Sequence, residues 1–280
     1  MQASRLQPLR TDAHIVANKY LFWTGCAGNY DARIAAVVKA TTQVIRSAGI
    51  EVNFLGDDEA CTGDAARRLG EEGLFQQLAL RNIDTLKRHG VERIVTHCAH
   101  CFHVLKNEYP RFGFDCEVYH HSEVIAQLLR DGRLRLNANA QQIATLHDSC
   151  YVGRYNRIFD EPREILRAVH GVKTVEMPRH GEHSFCCGAG GANYWYDAPK
   201  REPVGVIRIR EALQAGAQTV VAECPFCIKM LEQAAQSAAP GSDLRIRDIS
   251  EIVAEALDDG GDVTAQRASG SPQHRAQMGE

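Results

Sequence analysis

Residues 81–105 read RNIDTLKRHGVERIVTHCAHCFHVL, and residues 206–231 read VIRIREALQAGAQTVVAECPFCIKML. Both stretches contain a helical segment, a glycine turn, a short apolar strand, a Cys-x-x-Cys pair and a second helix. A whole supersecondary unit that occurs twice in one chain predicts a duplicated fold. Apolar runs that alternate with helical stretches are typical of βαβ units and a parallel sheet. We therefore predict an α/β fold with two pseudo-symmetric, Rossmann-like halves, each with a parallel sheet and a cysteine-rich motif.

The same alternation extends through most of the chain. The predicted strands are YLFWT, EVNFL, RIVT and FDCEVYHH in the first half and IATL, TVEM and TVVA in the second. The predicted helices cover residues 31–47, 69–89, 161–169, 204–215 and 228–236. We predict a first domain over residues 18–135 and a second over 136–257, joined by a linker within residues 131–142, which are rich in Gly, Asn and polar residues. The polar ends, residues 1–17 and 258–280, are predicted to be disordered.

Nine of the ten cysteines follow the duplication, and corresponding members lie 124 to 126 residues apart. The two sets are Cys26, Cys61, Cys98 and Cys101, and Cys150, Cys186, Cys187, Cys224 and Cys227. Several of them directly follow predicted strands, and sites in open parallel sheets form at the carboxyl ends of strands. The helices that begin there present N–H groups and partial positive charge, which favour thiolates. Thiolates gathered in this way predict a bound metal cluster in each half.

Two local features strengthen this interpretation. Pro225 is tolerated in the first turn of a helix and is expected to start the helix that carries Cys227. Gly188, Gly190 and Gly191 follow the Cys-Cys pair and allow backbone amides to approach sulfur atoms closely.

Composition limits the partners and the compartment. The net charge of −3 and the pI near 6.5 provide no basic patch, so we expect no nucleic-acid partner. No apolar run approaches the roughly 20 residues of a membrane span, and the first residues do not resemble a secretory signal. We therefore expect a cytoplasmic protein, in which thiols stay reduced and paired cysteines serve as metal or redox sites.

The cysteine pattern resembles that of the cysteine-rich (CCG) domain pair found in a subunit of heterodisulfide reductase, in glycolate oxidase iron-sulfur subunits and in lactate-utilisation proteins. Longer stretches, among them HCAHCFHVLKNEYPRFG, HDSCYVGRYN and FCCGAGGANYW, resemble the iron-sulfur oxidoreductases that accompany electron-transfer flavoproteins or flavin-linked dehydrogenases. The resemblance covers residues of about 18 to 255. Family members often carry ferredoxin-like clusters and membrane helices before this region, and we expect these parts on another subunit or outside this sequence.

The resemblance implies that the five cysteines of the second set hold a non-cubane [4Fe-4S] cluster. In the first half Thr62 occupies the second place of the Cys-Cys pair, which leaves four thiolates, the number that a cubane [4Fe-4S] cluster uses. We expect a [4Fe-4S] cluster there and leave its type open. Zinc held by four thiolates is the alternative, although structural zinc sites usually draw their ligands from compact ribbons. A thioredoxin-like dithiol would leave most of the cysteines without a role, and CCGAGGAN lacks the pattern of a phosphate-binding loop.

Several residues near these motifs have two interpretations. His147 and Asp148 precede Cys150 and are candidates to tune a potential or pass a proton, or else to cap and orient the site. His120 and His121 begin a helix and either line a site or support the fold.

Two further features are expected to be structural. The Arg67–Arg68 pair is expected to be solvated or ion-paired, with charge complement to a cluster as the alternative. Cys116 is expected in the core rather than among the ligands.

Three functions compete at this level. The first is an iron-sulfur electron-transfer subunit that passes electrons between a flavoprotein partner and a quinone or disulfide-type acceptor. The second is a reductase that acts on a heterodisulfide or quinone at the non-cubane cluster. The third is a zinc-stabilised interaction module. A chain without a flavin or nucleotide motif must receive its electrons from a partner, so we expect a multi-subunit complex that partner subunits can hold at a membrane.

Overall fold

The computed structural model describes residues 17–137, 141–196 and 202–258. The strands are β1 Lys19–Trp23, β2 Glu51–Asn53, β3 Arg93–Thr96, β4 Glu117–His120, β5 Gln142–Leu146, β6 Val172–Thr174, β7 Thr219–Ala222 and β8 Arg245–Asp248. The helices are α1 Gly25–Tyr30, α2 Ala32–Ser47, α3 Asp64–Arg68, α4 Glu72–Arg88, α5 Ala99–His103, α6 His121–Arg130, α7 Gly153–Asn156, α8 Asp160–Ala168, α9 Val204–Gln214, α10 Pro225–Ala238 and α11 Ile249–Ala256. Apart from Ala17 and Asp258, the ends predicted to be disordered lie outside the described residues.

The strands form two parallel sheets of the same topology. The strand order is β2-β1-β3-β4 in the first sheet and β6-β5-β7-β8 in the second. Every strand pair is parallel, with Leu21 opposite Ile94 in the first sheet and Thr145 opposite Val220 in the second. The prediction of an α/β fold with two Rossmann-like halves is confirmed.

Helix starts at the strand ends follow local sequence chemistry. Asp31 caps α2, because its carboxylate accepts the N–H groups of Arg33 at 2.8 Å and Ile34 at 3.2 Å. Pro225 is the first residue of α10, as predicted. Asp248 caps α11, whose N–H groups its side chain satisfies. Asp31 and Asp248 thus satisfy N–H groups that the first turns of α2 and α11 would otherwise leave unpaired.

Two element predictions need correction. The helix predicted over residues 69–89 begins at Glu72, because Gly70 has φ +88° and interrupts the chain after α3. The strand predicted at TVEM is wrong beyond Thr174, where β6 ends. The helix predicted after Cys98 is present as α5 and continues through Leu105 as a π-helical turn over Val104–Glu108. Strand β8 and helix α11 were not predicted.

The two halves share their hydrophobic core. One buried cluster contains Phe22 and Val44 of the first half together with Val221 and Val253 of the second. At the edge of this contact, Arg33 forms a bidentate ion pair with Glu251, both of whose oxygens lie 2.8 Å from the guanidinium. The halves therefore pack directly against each other. None of the described helices combines the length and apolar composition that crossing a bilayer requires.

Candidate metal centre

The four cysteines of the first half lie at the carboxyl ends of β1, β2 and β3. Cys26 is in α1, Cys61 is in the loop after β2, and Cys98 and Cys101 flank the first turn of α5. Cys98 is the N-cap of α5, where its sulfur accepts the N–H of Cys101 at 3.5 Å. The chain thus brings these thiols to one edge of the sheet, as their position after predicted strands indicates.

Hydrogen bonds favour the thiolate of Cys61. The thiol of Cys26 hydrogen-bonds its sulfur, and against the effect of burial this bond and the N–H of Gly63 at 3.4 Å lower the pKa of Cys61 to about 6. Gly25 makes room beside this pair, because a Cβ at this residue would lie 3.1 Å from the sulfur of Cys101. Its φ of +73° also favours glycine.

The five cysteines of the second half occupy the corresponding sheet edge. Cys150 follows β5, the Cys186–Cys187 pair lies between β6 and α9, and Cys224 and Cys227 lie at the start of α10. All are partly or fully buried.

Cys186 is a strongly acidic thiol. The neighbouring thiols of Cys150 and Cys187, together with the N–H of Gly188, which donates to its sulfur at 3.2 Å, lower its pKa to about 2. The amide approach predicted for Gly188 is therefore present. No such bond from Gly190 or Gly191 occurs among the described residues.

The two sets meet between the halves. The thiols of Cys98 and Cys224 lie beside each other, close enough for each to shift the pKa of the other, and the His100 ring lies beside Cys224 as well. Burial opposes ionisation of Cys224, but bonds from Cys227, Cys98 and His100 hold its pKa well below the ordinary value. Because Cys98 belongs to the first set and Cys224 to the second, the nine thiols form one continuous group.

Thr62 replaces a thiol in the first set with a hydroxyl. Its side chain is 3% exposed, and its Oγ1 lies 3.8 Å from the sulfur of Cys101, to which it donates a hydrogen bond. The first half therefore offers four thiols and one hydroxyl donor where the second offers five thiols.

His147 and Asp148 differ in what they face. A ring nitrogen of His147 and the sulfurs of Cys187 and Cys227 all lie within 4.8 Å of one another. Burial and the nearby Arg208 charge lower the pKa of His147 to about 4. Asp148 instead accepts two hydrogen bonds from Arg163, at 2.6 and 3.1 Å, and supports the fold. Of the two candidates, only His147 lies against the sulfurs.

Comparison with known proteins places this geometry in a family. The sequence profile of the cysteine-rich domain CCG matches twice, over residues 20–106 and 144–232. The chain belongs to the CCG family. Each match contains one complete set of the cysteines described above. Both repeats follow the duplication that the sequence indicates.

Three relatives share most of this CCG chain. The probable iron-sulfur-binding oxidoreductase FadF of Bacillus subtilis is 40% identical over 239 residues, which are 85% of this chain and 34% of FadF. EtfAB:quinone oxidoreductase of Syntrophomonas wolfei is 34% identical over 247 residues, which are 86% of this chain and 34% of that protein. A heterodisulfide reductase subunit of Methanosarcina barkeri is 32% identical over 243 residues, which are 85% of this chain and 58% of that relative. The chain spans about a third of the length of the first two relatives.

A buried acid–base pair at the junction was not predicted. His100 Nδ1 lies 2.6 Å from Asp64 Oδ2, and the His100 ring stands edge-on to Tyr151 and Phe226, with centroids 4.8 Å away in each case. Burial lowers the pKa of His100, but the interactions with Asp64 and Cys224 raise it by more, and the resulting pKa is about 10. The position of His100 inside the Cys-x-x-Cys pair was a signal that it lies near the sulfurs. Nothing in the sequence indicates that Asp64 is its partner.

His120 and His121, the two histidines predicted at the start of a helix, have a structural role. His120 Nε2 lies 3.0 Å from the backbone oxygen of Glu223, and His121 Nε2 lies 3.1 Å from Asp248 Oδ1. Both contacts cross from the first half to the second, and both rings are fully buried. These histidines therefore fix the halves relative to each other.

Arg67 and Arg68 are ion-paired, as expected. Both contact the Glu108 carboxylate, Arg67 at 2.8 Å, and Arg68 also reaches Asp64 at 3.1 Å. Cys116 is half-buried against the core and donates to the backbone oxygen of Glu92 at 3.0 Å. This contact lies at the beginning of β3 and β4, at the opposite end of the sheet from the other thiols.

A small cavity opens beside the first set. Its volume is ≈ 70 Å³. Cys26, Cys61 and Cys101 line one side, and Trp195 and Phe226 of the second half line the other. Cys61 is the exposed thiol of the nine. The first set thus lies nearer to solvent than the second.

Proposed function

We propose that this chain binds two iron-sulfur clusters and serves as the electron-transfer part of an oxidoreductase. The observation that carries the proposal is the contact between Cys98 and Cys224, which joins the two thiol sets into one group. Two clusters held by these sets would be neighbours, so that an electron arriving at one would pass directly to the other.

The donor set fits an iron-sulfur cluster. The sulfurs are free thiols, they contact one another, and backbone N–H groups point at Cys61, Cys98 and Cys186. N–H bonds to sulfur and exclusion of water are what the protein contributes to such a cluster. A zinc ion would bind four of these thiols, whereas nine thiols lie together here, which is more than a zinc site needs.

The proposed ligands follow the two halves. Cys26, Cys61, Cys98 and Cys101 would hold a [4Fe-4S] cluster in the first half, and Cys150, Cys186, Cys187, Cys224 and Cys227 a non-cubane [4Fe-4S] cluster in the second. Each cluster supplies reversible one-electron transfer when bound. The surrounding chain holds the sulfurs, donates hydrogen bonds to them and excludes water from Cys187, Cys224 and Cys227.

The partners are proposed from the relatives and the exposure of the sites. Names of relatives refer to an electron-transfer flavoprotein, a quinone and a heterodisulfide. We propose that a flavoprotein supplies electrons near the exposed Cys61 and that a quinone or disulfide-type acceptor receives them. The chain is proposed to work in the cytoplasm, within a complex that other subunits can hold at a membrane.

Direct reduction of the acceptor at the second cluster is the second candidate. It is favoured by the complete five-thiol set, which exceeds what a relay requires. The two candidate functions predict different effects of replacing Cys187. This cysteine is 2% exposed, and in the first half Thr62 occupies the corresponding position.

The test is rapid mixing of anaerobic, cluster-loaded protein with a reduced flavoprotein, followed by a short-chain quinone or a disulfide. The relay predicts bleaching of the cluster absorbance by the flavoprotein in the wild type and in Cys187→Ser. A Cys187→Ser protein that accepts electrons but no longer passes them to the quinone or disulfide supports direct reduction at the second cluster. Cys116→Ser is the matched control, because Cys116 lies at the opposite end of the sheet. Failure of wild-type protein to accept electrons would refute both candidates.

A further inference from the structure

His147 is placed against the second thiol set without being a cysteine. It follows β5 directly, three residues before Cys150, and is 1% exposed. One of its ring nitrogens lies within 4.8 Å of the sulfurs of both Cys187 and Cys227. A buried imidazole in this position either binds a metal, accepts a hydrogen bond or donates one.

Arg208 decides which of these roles is open. Its Nε donates to His147 Nδ1 at 3.1 Å. A guanidinium can only donate hydrogen bonds, so Nδ1 must be the acceptor and carries no proton. The proton of the imidazole is therefore on Nε2. Since Nδ1 is occupied by Arg208, Nε2 is the nitrogen left to face the sulfurs.

The Arg208 side chain is held firmly in this orientation. It is 0% exposed, and its Nη1 donates to the Glu211 carboxylate at 2.8 Å and to the Arg179 backbone oxygen at 2.6 Å. A buried charge of this kind is retained only when it is paired. The series from Glu211 through Arg208 to His147 thus fixes the proton on Nε2 and leaves this N–H available to the thiols of Cys187 and Cys227.

We propose that His147 Nε2–H donates a hydrogen bond to a sulfur of the second cluster and raises its reduction potential, and that Arg208 is the positioning residue that fixes this tautomer. The inference rests on the proposed iron-sulfur function. A donor to sulfur stabilises the added negative charge of the reduced cluster more than the oxidised one, so the cluster accepts an electron more readily.

The first half lacks this pair. At the corresponding positions of the repeat, Trp23 stands for His147 and Asn82 for Arg208. Asn82 Nδ2 donates to the backbone oxygen of Cys61 and to Tyr109 Oη, both at 3.0 Å, rather than to Trp23. A change at His147 is therefore expected to alter the second cluster and leave the first unchanged.

The test is redox titration by electron paramagnetic resonance (EPR) of the anaerobically loaded full chain, with the two cluster signals followed separately. His147→Leu is expected to shift the second signal to a more negative midpoint potential. His147→Gln, which keeps an N–H donor, is expected to shift it less. Thr145→Val is the control on the same strand, because Thr145 is fully buried and its hydroxyl has no partner among the described residues. An unchanged potential in His147→Leu, or equal shifts of both signals, would overturn the inference.

A second measurement compares two proteins labelled with ¹⁵N-histidine. Pulsed EPR of the reduced second cluster is expected to show a weak nitrogen coupling, transmitted through N–H···S, that is present in wild type and absent from His147→Leu, whereas any coupling from His100, which also lies beside Cys224, is present in both. A strong coupling that the substitution removes would mean that His147 binds iron, and identical spectra would mean that His147 does not contact the cluster, so either result refutes the inference. Wild-type protein without iron and sulfide would refute the proposed function itself, whereas iron with an unmoved potential refutes only the role of His147.

Discussion

Gly205→Ala is expected to destabilise the protein although alanine is the better helix former. Gly205 is the second residue of α9 and is buried where α9 crosses α10. A Cβ at this residue would lie 3.0 Å from the Cβ of Ala234, 3.2 Å from the backbone oxygen of Cys187 and 3.4 Å from that of Met230. Two of these three atoms are backbone and cannot turn away, so α9 or the Cys186–Cys187 loop must shift.

The magnitude follows from two opposing effects. Replacing glycine in a helix favours folding by about 0.5–1 kcal/mol, whereas overpacking a tight contact costs about 1–3 kcal/mol. We therefore expect a net loss of about 1 kcal/mol in the free energy of unfolding, between bounds of about 0 and 2.5 kcal/mol. Gly73→Ala is the matched control, because Gly73 is the second residue of α4, is exposed, and has no atom within 4 Å of an added Cβ. It is expected to be neutral or stabilising by up to about 1 kcal/mol.

The assay is anaerobic urea denaturation of both variants and the wild type, followed by circular dichroism. The order of stability expected is Gly73→Ala, wild type, Gly205→Ala. A Gly205→Ala protein as stable as Gly73→Ala would show that α9 does not approach α10 as closely as described, and would refute the reasoning.

Three further outcomes are expected. Burial alone would raise the pKa of Asp248, but its attraction to His121 and its hydrogen bonds hold it below the ordinary value. Asp248→Asn is therefore expected to cost about 1–3 kcal/mol at neutral pH, and the difference from wild type, measured by urea denaturation, is expected to shrink below about pH 4 as the wild-type carboxylate is protonated. In cluster-free protein, iodoacetamide is expected to modify Cys61 at a rate that rises as the pH passes about 6. Burial raises the pKa of Cys116 to about 12, so this thiol is expected to stay unmodified at neutral pH. Mass spectrometry measures both, and equal labelling of the two cysteines would contradict the expectation. Thr62→Val is expected to lower the midpoint potential of the first cluster in an EPR titration without loss of iron, because a hydroxyl donor to a cysteine sulfur is removed.

The fold was predictable because its signals are local. The apolar run TVVA matches β7 residue for residue, and Pro225 marks the start of α10. The positions of Cys26, Cys98, Cys150 and Cys224 after predicted strands were enough to predict that each set gathers at a sheet edge. The two wrong element boundaries come from weak local signals. The start of α4 was placed too early because Gly70, which separates α3 from α4, was read as part of a helix. The strand at TVEM was placed too late because β6 is only three residues long.

The arrangement between the halves could not be predicted from the pattern. The contact of Cys98 with Cys224 depends on how two sheets pack, and no spacing within one half records that packing. The same holds for His121 and Asp248, which are 127 residues apart. Nor does anything near His147 in sequence indicate that Arg208, 61 residues away, donates to its ring.

The iron, acid-labile sulfide and zinc content of anaerobically purified protein tests the central claim most directly. Two tetranuclear clusters predict about eight irons and eight sulfides per chain, with EPR signals from two centres that interact because their ligands touch. Zinc without iron or sulfide, in protein made under iron-replete anaerobic conditions, would contradict the account and would show that the thiols bind structural zinc.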